Sequence, residues 1–165
     1  MFTSITQFLR NLFALHGQGP CERQSGALPY RMIDGKASYL LITSRRSARW
    51  MFPKGGIMRG KTPWESAAQE ALEEAGIEGE VETTPIGSYR GAMNDENQTP
   101  VIVDIYPLRV DLEHDEWREK HQRQRRWVSI EEAQCLLDDP EKLAIATALE
   151  RRLHQPAGMV RQAAH

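Results

Sequence analysis

The sequence has 165 residues, of which 40% are apolar and 27% charged, and these proportions fit one globular domain and exclude a wholly disordered chain. Twenty-one Lys and Arg residues oppose 23 Asp and Glu residues, and so small a net charge favours neither a nucleic-acid partner nor a membrane surface. Two cysteines, Cys21 and Cys135, cannot form a disulfide framework, which predicts a reduced, cytoplasmic location.

The first predicted element is an amphipathic leader helix in residues 1–20. Arg10 and Asn11 interrupt its apolar stretch and no basic residue precedes them, so the segment does not fit an export signal. No apolar run elsewhere is long enough to span a membrane. Residues 21–155 are predicted to form the domain, and residues 156–165 a disordered tail. The apolar residues that recur at helical spacing in the leader are Phe2, Ile5, Phe8, Leu9, Leu12, Phe13 and Leu15.

The predicted strands come next along the chain. Residues 27–32 and 38–43 flank an Asp34-Gly35 pair, which favours a tight hairpin turn. Further strands are predicted at residues 50–52, 81–90 (broken by Pro85), 101–106 and 126–128, and the stretch at 101–106 is the richest in β-branched residues. The polar segment 91–99 between two of these strands is predicted to be a mobile loop.

Three helices are predicted from the residues that begin them. Thr62 is followed by Pro63 and Glu65, which is a capping box with proline at the first helical position. A second capping box begins at Ser129, and Asp139 precedes a helix that extends to about residue 153. Strands and helices mix without strict alternation, so the predicted fold class is α+β.

The first of these helices, residues 62–76, separates apolar from acidic residues. On helical geometry its carboxylates, Glu70, Glu73 and Glu74, gather on the side opposite an apolar stripe. Carboxylates at this spacing repel one another, and a divalent cation such as Mg²⁺ would turn that repulsion into binding. A solvated acidic face is the alternative interpretation. The apolar stripe is Trp64, Ala68, Ala71, Leu72 and Ala75.

The context of this acidic helix resembles the Nudix box, which consists of Gly, five residues, Glu, seven residues and then Arg-Glu-apolar-x-Glu-Glu-x-Gly-apolar. The box would extend from Gly55 to Ile77, with the three glutamates and Gly76 at matching positions. Two residues depart from it, because Lys61 replaces the first Glu and Gln69 replaces the Arg. In the family that Arg helps to orient the box carboxylates, so the resemblance implies that Gln69→Arg raises kcat or metal affinity.

The resemblance implies a fold and a mechanism. The fold would be the Nudix α/β/α sandwich, in which a mixed β-sheet lies between helices. Glu70, Glu74 and the Gly55 carbonyl would bind Mg²⁺, with Mn²⁺ as an alternative. Glu73 would be the general base in hydrolysis of a diphosphate linkage. Some family members use a glutamate further along the chain, and the candidates for that role are Glu116 and Glu119.

The resemblance is wider than the box and favours one branch of the family. The stretches 27–31, 43–45, 49–56 and 123–127 are similar to the diphosphoinositol polyphosphate phosphohydrolases and their bacterial relatives. Basic residues concentrate before the acidic helix and again at 118–126, which agrees with a phosphate-rich small-molecule substrate. The substrate-binding residues implied by this resemblance are Arg31, Ser44, Arg45, Lys54, Gly56 and Arg123.

Two alternatives remain open from the sequence. The first is a dinucleoside polyphosphate hydrolase of the diadenosine type, because members of the same branch often accept such substrates. The second is a Nudix-like module that senses a phosphorylated metabolite without turnover, which Gln69 favours because a neutral amide gives no charge assistance to a carboxylate.

Overall fold

The computed structural model describes residues 21–91 and 99–155. The described strands are β1 (Glu22–Ile33), β2 (Lys36–Thr43), β3 (Trp50–Met51), β4 (Lys54–Gly56), β5 (Ile77–Val81), β6 (Gly87–Gly91), β7 (Val101–Glu113) and β8 (Arg125–Val128). The described helices are α1 (Pro63–Ala75), α2 (Ile130–Leu136) and α3 (Pro140–His154). The predicted leader helix, most of the predicted loop at 91–99 and the predicted tail lie outside the described residues.

The strands form one mixed sheet. Its main order is β3-β2-β1-β7-β5, and β1 pairs parallel with β7 while the other pairings are antiparallel. The long strand β1 has two antiparallel partners on one side. Its first half pairs with β4, in the register Ser25↔Gly55, and its last residues pair with β2. The start and the end of β1 therefore border different parts of the molecule.

Helices cover both faces of the sheet, as predicted for the α/β/α sandwich. On one face, α1 packs mainly on β1, and Ala67, Ala71 and Ala75 share a buried cluster with Ala27, Leu40 and Ile42. On the other face, α2 and α3 pack through Ala133, Ile145, Ala146 and Leu149 onto Leu28, Leu41 and Val103. No helix in the described ranges is long and apolar enough to cross a membrane.

The predicted start and stop signals operate as expected. Thr62 caps α1, because its hydroxyl accepts a hydrogen bond from the Glu65 backbone while Glu65 accepts from the Thr62 backbone. Gly76 ends α1 with a φ of 65°, a left-handed conformation that favours glycine. In the β1–β2 hairpin, Asp34 and Gly35 also have positive φ, as the tight turn requires.

Two strand predictions are corrected by the structure. Residues 81–90 form the end of β5 and most of β6 rather than one strand, because Pro85 between them has no N–H to donate to a ladder. The strand β4 was not predicted. Its sequence, Lys-Gly-Gly, has low β propensity, and it is extended because it pairs with β1.

Candidate active site

The buried stripe of α1 differs from the predicted one. Ala67, Ala71 and Ala75 are fully buried, whereas Trp64 and Leu72 are only partly buried. Small side chains on this stripe let α1 lie close to the sheet. As a result the neighbouring acidic positions face protein, and the prediction that all three carboxylates lie opposite the buried stripe is wrong for Glu74, which is 6% exposed.

Glu74 is held by two donors from outside α1. The Lys54 backbone N–H donates to Glu74 Oε2 at 2.9 Å, and the Arg123 guanidinium donates to Glu74 Oε1. Burial raises the pKa of Glu74 above its ordinary value, and these two donors act in the opposite direction. The carboxylate thus joins β4, α1 and the segment before β8.

Glu70 lies against the backbone of β4. A Cβ atom placed on Gly55 would come within 2.1 Å of Glu70 Oε1, so a side chain at this position would have to displace the carboxylate. A Cβ atom on Gly56 would meet nothing within 4 Å, which leaves that stretch of backbone open to a ligand. None of the described residues donates a hydrogen bond to the Glu70 carboxylate.

The surroundings of Glu70 strongly disfavour its ionised form. Burial, followed by repulsion from Glu74, Glu73 and Glu119, raises its pKa from 4.5 to about 7. A site that disfavours ionisation in this way gains from a divalent cation, which prefers oxygen ligands. The donor set therefore fits such an ion, although no three acidic, His or Cys side chains of the described residues already surround one point.

The raised pKa predicts a pH-dependent effect of Glu70→Gln. A carboxyl whose pKa is higher in the folded protein contributes stability below pH 4.5, and that contribution is lost as the pH rises through about 7. In EDTA at pH 8 the variant is therefore expected to unfold at a temperature about 4 °C higher than the wild type, with little difference at pH 5. Thermal unfolding at both values measures this, with exposed Glu80→Gln as the control. An equal loss of stability at both pH values would contradict the prediction.

The downstream candidates Glu116 and Glu119 have different positions. Glu119 lies near Glu70, and its carboxylate accepts a hydrogen bond from Arg123 Nε at 2.6 Å. Its backbone N–H donates to the Glu73 carbonyl. Glu116 is 78% exposed and pairs with Lys120. The structure thus brings Glu119, and not Glu116, to the acidic cluster, which we define as Glu70, Glu73, Glu74 and Glu119.

Arg123 is brought to the cluster but is already bound by protein groups. Its side chain is 6% exposed, and it donates to Glu74, to Glu119 and, at 3.0 Å, to the Thr43 carbonyl. A guanidinium has five N–H donors in a fixed fork, and here the fork faces the carboxylates. Its predicted contact with a substrate phosphate would have to compete with these bonds.

The other basic residues of the stretch 118–126, here called the second basic segment, are likewise paired within the protein. Arg118 pairs with Glu73, Lys120 with Glu116 and Arg126 with Glu132. Arg125 donates to the carbonyls of Ala75 and His114 at the end of α1 and beyond β7. This segment therefore docks onto α1, and its charge is largely neutralised.

The loop between β2 and β3 provides positive charge beside the acidic cluster. Arg45 and Arg46 lie in it, and Arg45 is 3.6 Å from Glu119. Ser44 shapes the loop, because its Oγ accepts from the backbone N–H groups of Ser47 and Arg49 at 3.3 Å. A cleft of 400 Å³, here called the arginine cleft, is lined by Ser44, Arg45, Arg46, Ser47, Met51, Lys54, Glu74 and Arg123.

Lys54 lines the arginine cleft. Its Nζ donates to Gln24 Oε1 at 2.9 Å, a partner on β1 that no sequence motif indicated. Burial lowers the pKa of the Lys54 ammonium, while Glu74 and Glu70 act against that shift. The Lys54 ammonium group is therefore held close to the Glu70 and Glu74 carboxylates.

Arg31 is not brought to this cluster. It pairs with Ser38 near the far end of β1, six residues beyond Ser25, which is opposite Gly55. At about 3.3 Å per residue this is roughly 20 Å away. Its guanidinium stacks on the Trp127 ring, 4.0 Å from the centroid.

A second cleft, of 540 Å³, adjoins the arginine cleft and shares Ser44, Ser47, Met51 and Lys54 with it. We call it the aromatic cleft, because Trp50 and Tyr89 line it. The Tyr89 hydroxyl is buried and has no hydrogen-bond partner among the described residues. Sequence reasoning missed this cleft, since its walls come from segments about 40 residues apart. Its other lining residues are Arg49, Arg90, Gly91, Asp138, Asp139, Pro140 and Lys142.

Comparison with known proteins identifies related chains. A family model described as NUDIX domain matches residues 23–151. The chain is similar to Nudix hydrolase 12, mitochondrial, of Arabidopsis thaliana, with 31% identity over 127 residues that cover 66% of this chain and 63% of the relative. It is also 28% identical to diphosphoinositol polyphosphate phosphohydrolase 3-alpha of Homo sapiens over 115 residues, which cover 68% of this chain and 66% of the relative.

The chain spans between about half and two thirds of the length of the first curated relatives that it matches. Among solved structures it resembles the C. elegans Ap4A hydrolase, with a TM-score of 0.59, 22% identity and coverage of 81% of this chain and 99% of that one. At that identity the likeness establishes the shared fold.

Proposed function

The chain belongs to the Nudix family, and from this membership we propose that it hydrolyses a diphosphate linkage, X–P–P–Y, in a small phosphorylated substrate with the help of a divalent cation. The observation that carries the proposal is the acidic cluster, in which Glu70 lies against Gly55 and Glu74 lines the arginine cleft. Carboxylates for a cation and arginines for phosphates thus lie side by side.

The proposed mechanism assigns a role to each carboxylate. Glu70 and Glu74, with the Gly55 carbonyl, would hold the cation, for which we propose Mg²⁺ with Mn²⁺ as a substitute. Such a cation neutralises the diphosphate and acidifies water. Glu73 would accept a proton from the attacking water. The water oxygen bonds to phosphorus as the P–O bond to the bridging oxygen breaks, and that oxygen leaves with the other phosphate. Glu119 is the second candidate for the proton acceptor, because it lies in the same cluster.

The arginine cleft is the proposed site of the substrate phosphates. Lys54, Arg45 and Arg46 would contact them, and the open backbone at Gly56 allows close approach. Arg31 is left out of this proposal because it lies at the far end of β1. Ser44 would act through the loop that it shapes.

A nucleoside-linked diphosphate, such as a dinucleoside polyphosphate, is the substrate that the geometry favours. The aromatic cleft begins where the arginine cleft ends, and Trp50 in its wall gives an aromatic surface for a base. Base-aromatic stacking contributes about 1–3 kcal/mol. The second basic segment makes close ion pairs with its own acidic partners, whereas Arg45 and Arg49 lie 3.6 and 3.5 Å from Glu119 and Asp138, so more of the positive charge available to phosphates lies in the β2–β3 loop.

A diphosphoinositol polyphosphate is the second candidate. It is favoured by three arginines in one short loop, Arg45, Arg46 and Arg49, and by the name of the human relative. A ring densely substituted with phosphates would need these arginines. It would also need Arg118 and Arg123, whose guanidinium groups are paired with Glu73, Glu74 and Glu119.

The test is product release from a substrate panel, namely diadenosine tetraphosphate, ADP-ribose and a diphosphoinositol polyphosphate, with Mg²⁺, Mn²⁺ or EDTA. Metal-dependent turnover of diadenosine tetraphosphate is expected. Trp50→Ala is expected to raise its KM about tenfold, whereas Trp50→Phe keeps an aromatic face and stays near the wild type. Turnover of the inositol substrate alone, indifferent to Trp50→Ala, would favour the second candidate. Metal-dependent binding without turnover of any substrate would identify a sensor.

The cytoplasmic location stays a prediction. Both cysteines are exposed and free, as in a reduced compartment. The Arabidopsis relative reported above is named as mitochondrial, so cell fractionation is the direct measurement.

A further inference from the structure

The two departures from the Nudix box lie in contact with each other. Lys61 Nζ donates to Gln69 Oε1 at 3.2 Å, and Gln69 Nε2 donates to Glu73 Oε1 at 2.9 Å. The two replacements therefore form one hydrogen-bonded chain that ends on the proposed general base. A neutral amide orients that carboxylate but adds no charge.

A positively charged side chain from outside the box does contact Glu73. The Arg118 guanidinium donates to Glu73 Oε2, the oxygen that Gln69 does not bind. Glu73 is thus held on both oxygens, by an amide from its own helix and by a guanidinium from the segment before β8. Its side chain is 23% exposed.

Arg118 is itself 71% exposed, and an exposed ion pair is commonly worth little. What distinguishes this pair is the anchoring of its neighbours in the chain. The Glu119 backbone N–H donates to the Glu73 carbonyl at 3.1 Å. The Trp117 side chain packs so closely on Gly76 that a Cβ there would approach it within 2.7 Å. The backbone on both sides of Arg118 is therefore fixed against the end of α1.

The same docking is reinforced from β8. The Arg125 guanidinium lies over the Trp117 ring, 3.9 Å from its centroid, and donates to the Ala75 carbonyl at 2.7 Å. The His114 backbone N–H donates to the Gly76 carbonyl at 2.8 Å. Arg118 thus extends from a platform with several contacts to α1.

We propose that Arg118 is a positioning residue that supplies to Glu73 the guanidinium which the box carries at position 69, and that Lys61 and Gln69 form a matched pair adapted to this arrangement. The inference rests on the proposed function, because it concerns the orientation of the proposed general base. It also revises the expectation for Gln69→Arg alone. An arginine there would face the Lys61 ammonium and a carboxylate that already has a guanidinium, so no gain is expected.

The kinetic test compares four proteins on whichever panel substrate the wild type hydrolyses. Arg118→Ala is expected to lower kcat about tenfold, the scale for loss of an orienting partner, with KM unchanged. The triple variant Arg118→Ala/Lys61→Glu/Gln69→Arg, which restores the pattern of the box, is expected to recover kcat to within about twofold of the wild type. Arg126→Ala, which removes an arginine from a comparable exposed pair with Glu132, is the matched control.

A second readout does not depend on turnover. The ¹³C resonance of the Glu73 carboxyl in the metal-free protein, assigned by its absence in Glu73→Gln, is expected to shift in Arg118→Ala and to return toward the wild-type position in the triple variant. An active wild type in which Arg118→Ala matches Arg126→Ala in both kcat and the resonance would overturn the inference, and so would a triple variant that recovers neither. A wild type inactive on every substrate counts against the proposed function, and the resonance then decides the positioning role alone.

Discussion

Replacing Glu74 with glutamine is expected to lower kcat about 10³-fold while the fold is retained. The substitution keeps the size of a side chain that is only 6% exposed and removes one ligand charge from the proposed cation site. Loss of such a charge removes several kcal/mol of transition-state stabilisation, and each 1.36 kcal/mol is a factor of ten in rate. Arg123 still has Glu119 and the Thr43 carbonyl as partners, so the guanidinium is not left alone.

The measurement is kcat at saturating Mg²⁺, with circular dichroism to check the fold. Glu80→Gln is the matched control, since Glu80 is an exposed residue of β5 whose carboxylate pairs with Arg109 on β7 and not with the acidic cluster. It is expected to retain wild-type kcat. A Glu74→Gln protein with nearly wild-type turnover would show that the cation is held elsewhere.

The features that could be predicted from the sequence depend on neighbours a few residues apart. The Thr62 and Ser129 caps, the Asp34-Gly35 turn and the glycine that ends α1 are of this kind. The mixed sheet between helices was also predicted, through the family resemblance. Glu70 and Gly55 of the box do meet, although the catalytic roles of the box residues stay predictions.

The features that could not be predicted depend on which charges meet across the fold. A run of arginines at 118–126 has the same composition whether it faces a substrate or its own acidic partners. Only the docking of this segment on α1 pairs Arg123 with Glu74, 49 residues away. The strand β4 is similar, because its extended form comes from pairing with β1 and not from its own residues.

That pairing leads to the prediction for Arg123→Ala, which is expected to lower the free energy of unfolding by about 3–5 kcal/mol, the cost of removing one partner from a buried ion pair. Both Arg123 and Glu74 have side chains less than a tenth exposed. Without the guanidinium, Glu74 would keep only the Lys54 backbone N–H and Glu119 only the Arg45 guanidinium at 3.6 Å, and both carboxylates would repel Glu70. Arg126→Ala, an exposed arginine of the same segment, is expected to change the free energy by no more than about 0.5 kcal/mol.

Urea unfolding in EDTA at pH 7 measures both variants, and a double-mutant cycle separates the pair from its surroundings. The loss of stability in Arg123→Ala is expected to come from the negative charge of Glu74, which then lacks its guanidinium partner. Glu74→Gln should therefore lower the free energy of unfolding less in the Arg123→Ala background than in the wild type, with a coupling free energy of about 2 kcal/mol. The competing interpretation, in which Arg123 mainly contacts substrate, has a different signature. It requires Arg123→Ala to raise KM for a phosphorylated substrate while the free energy of unfolding stays at the wild-type value. Because the guanidinium already donates to Glu74, Glu119 and Thr43, we expect the loss of stability and the coupling.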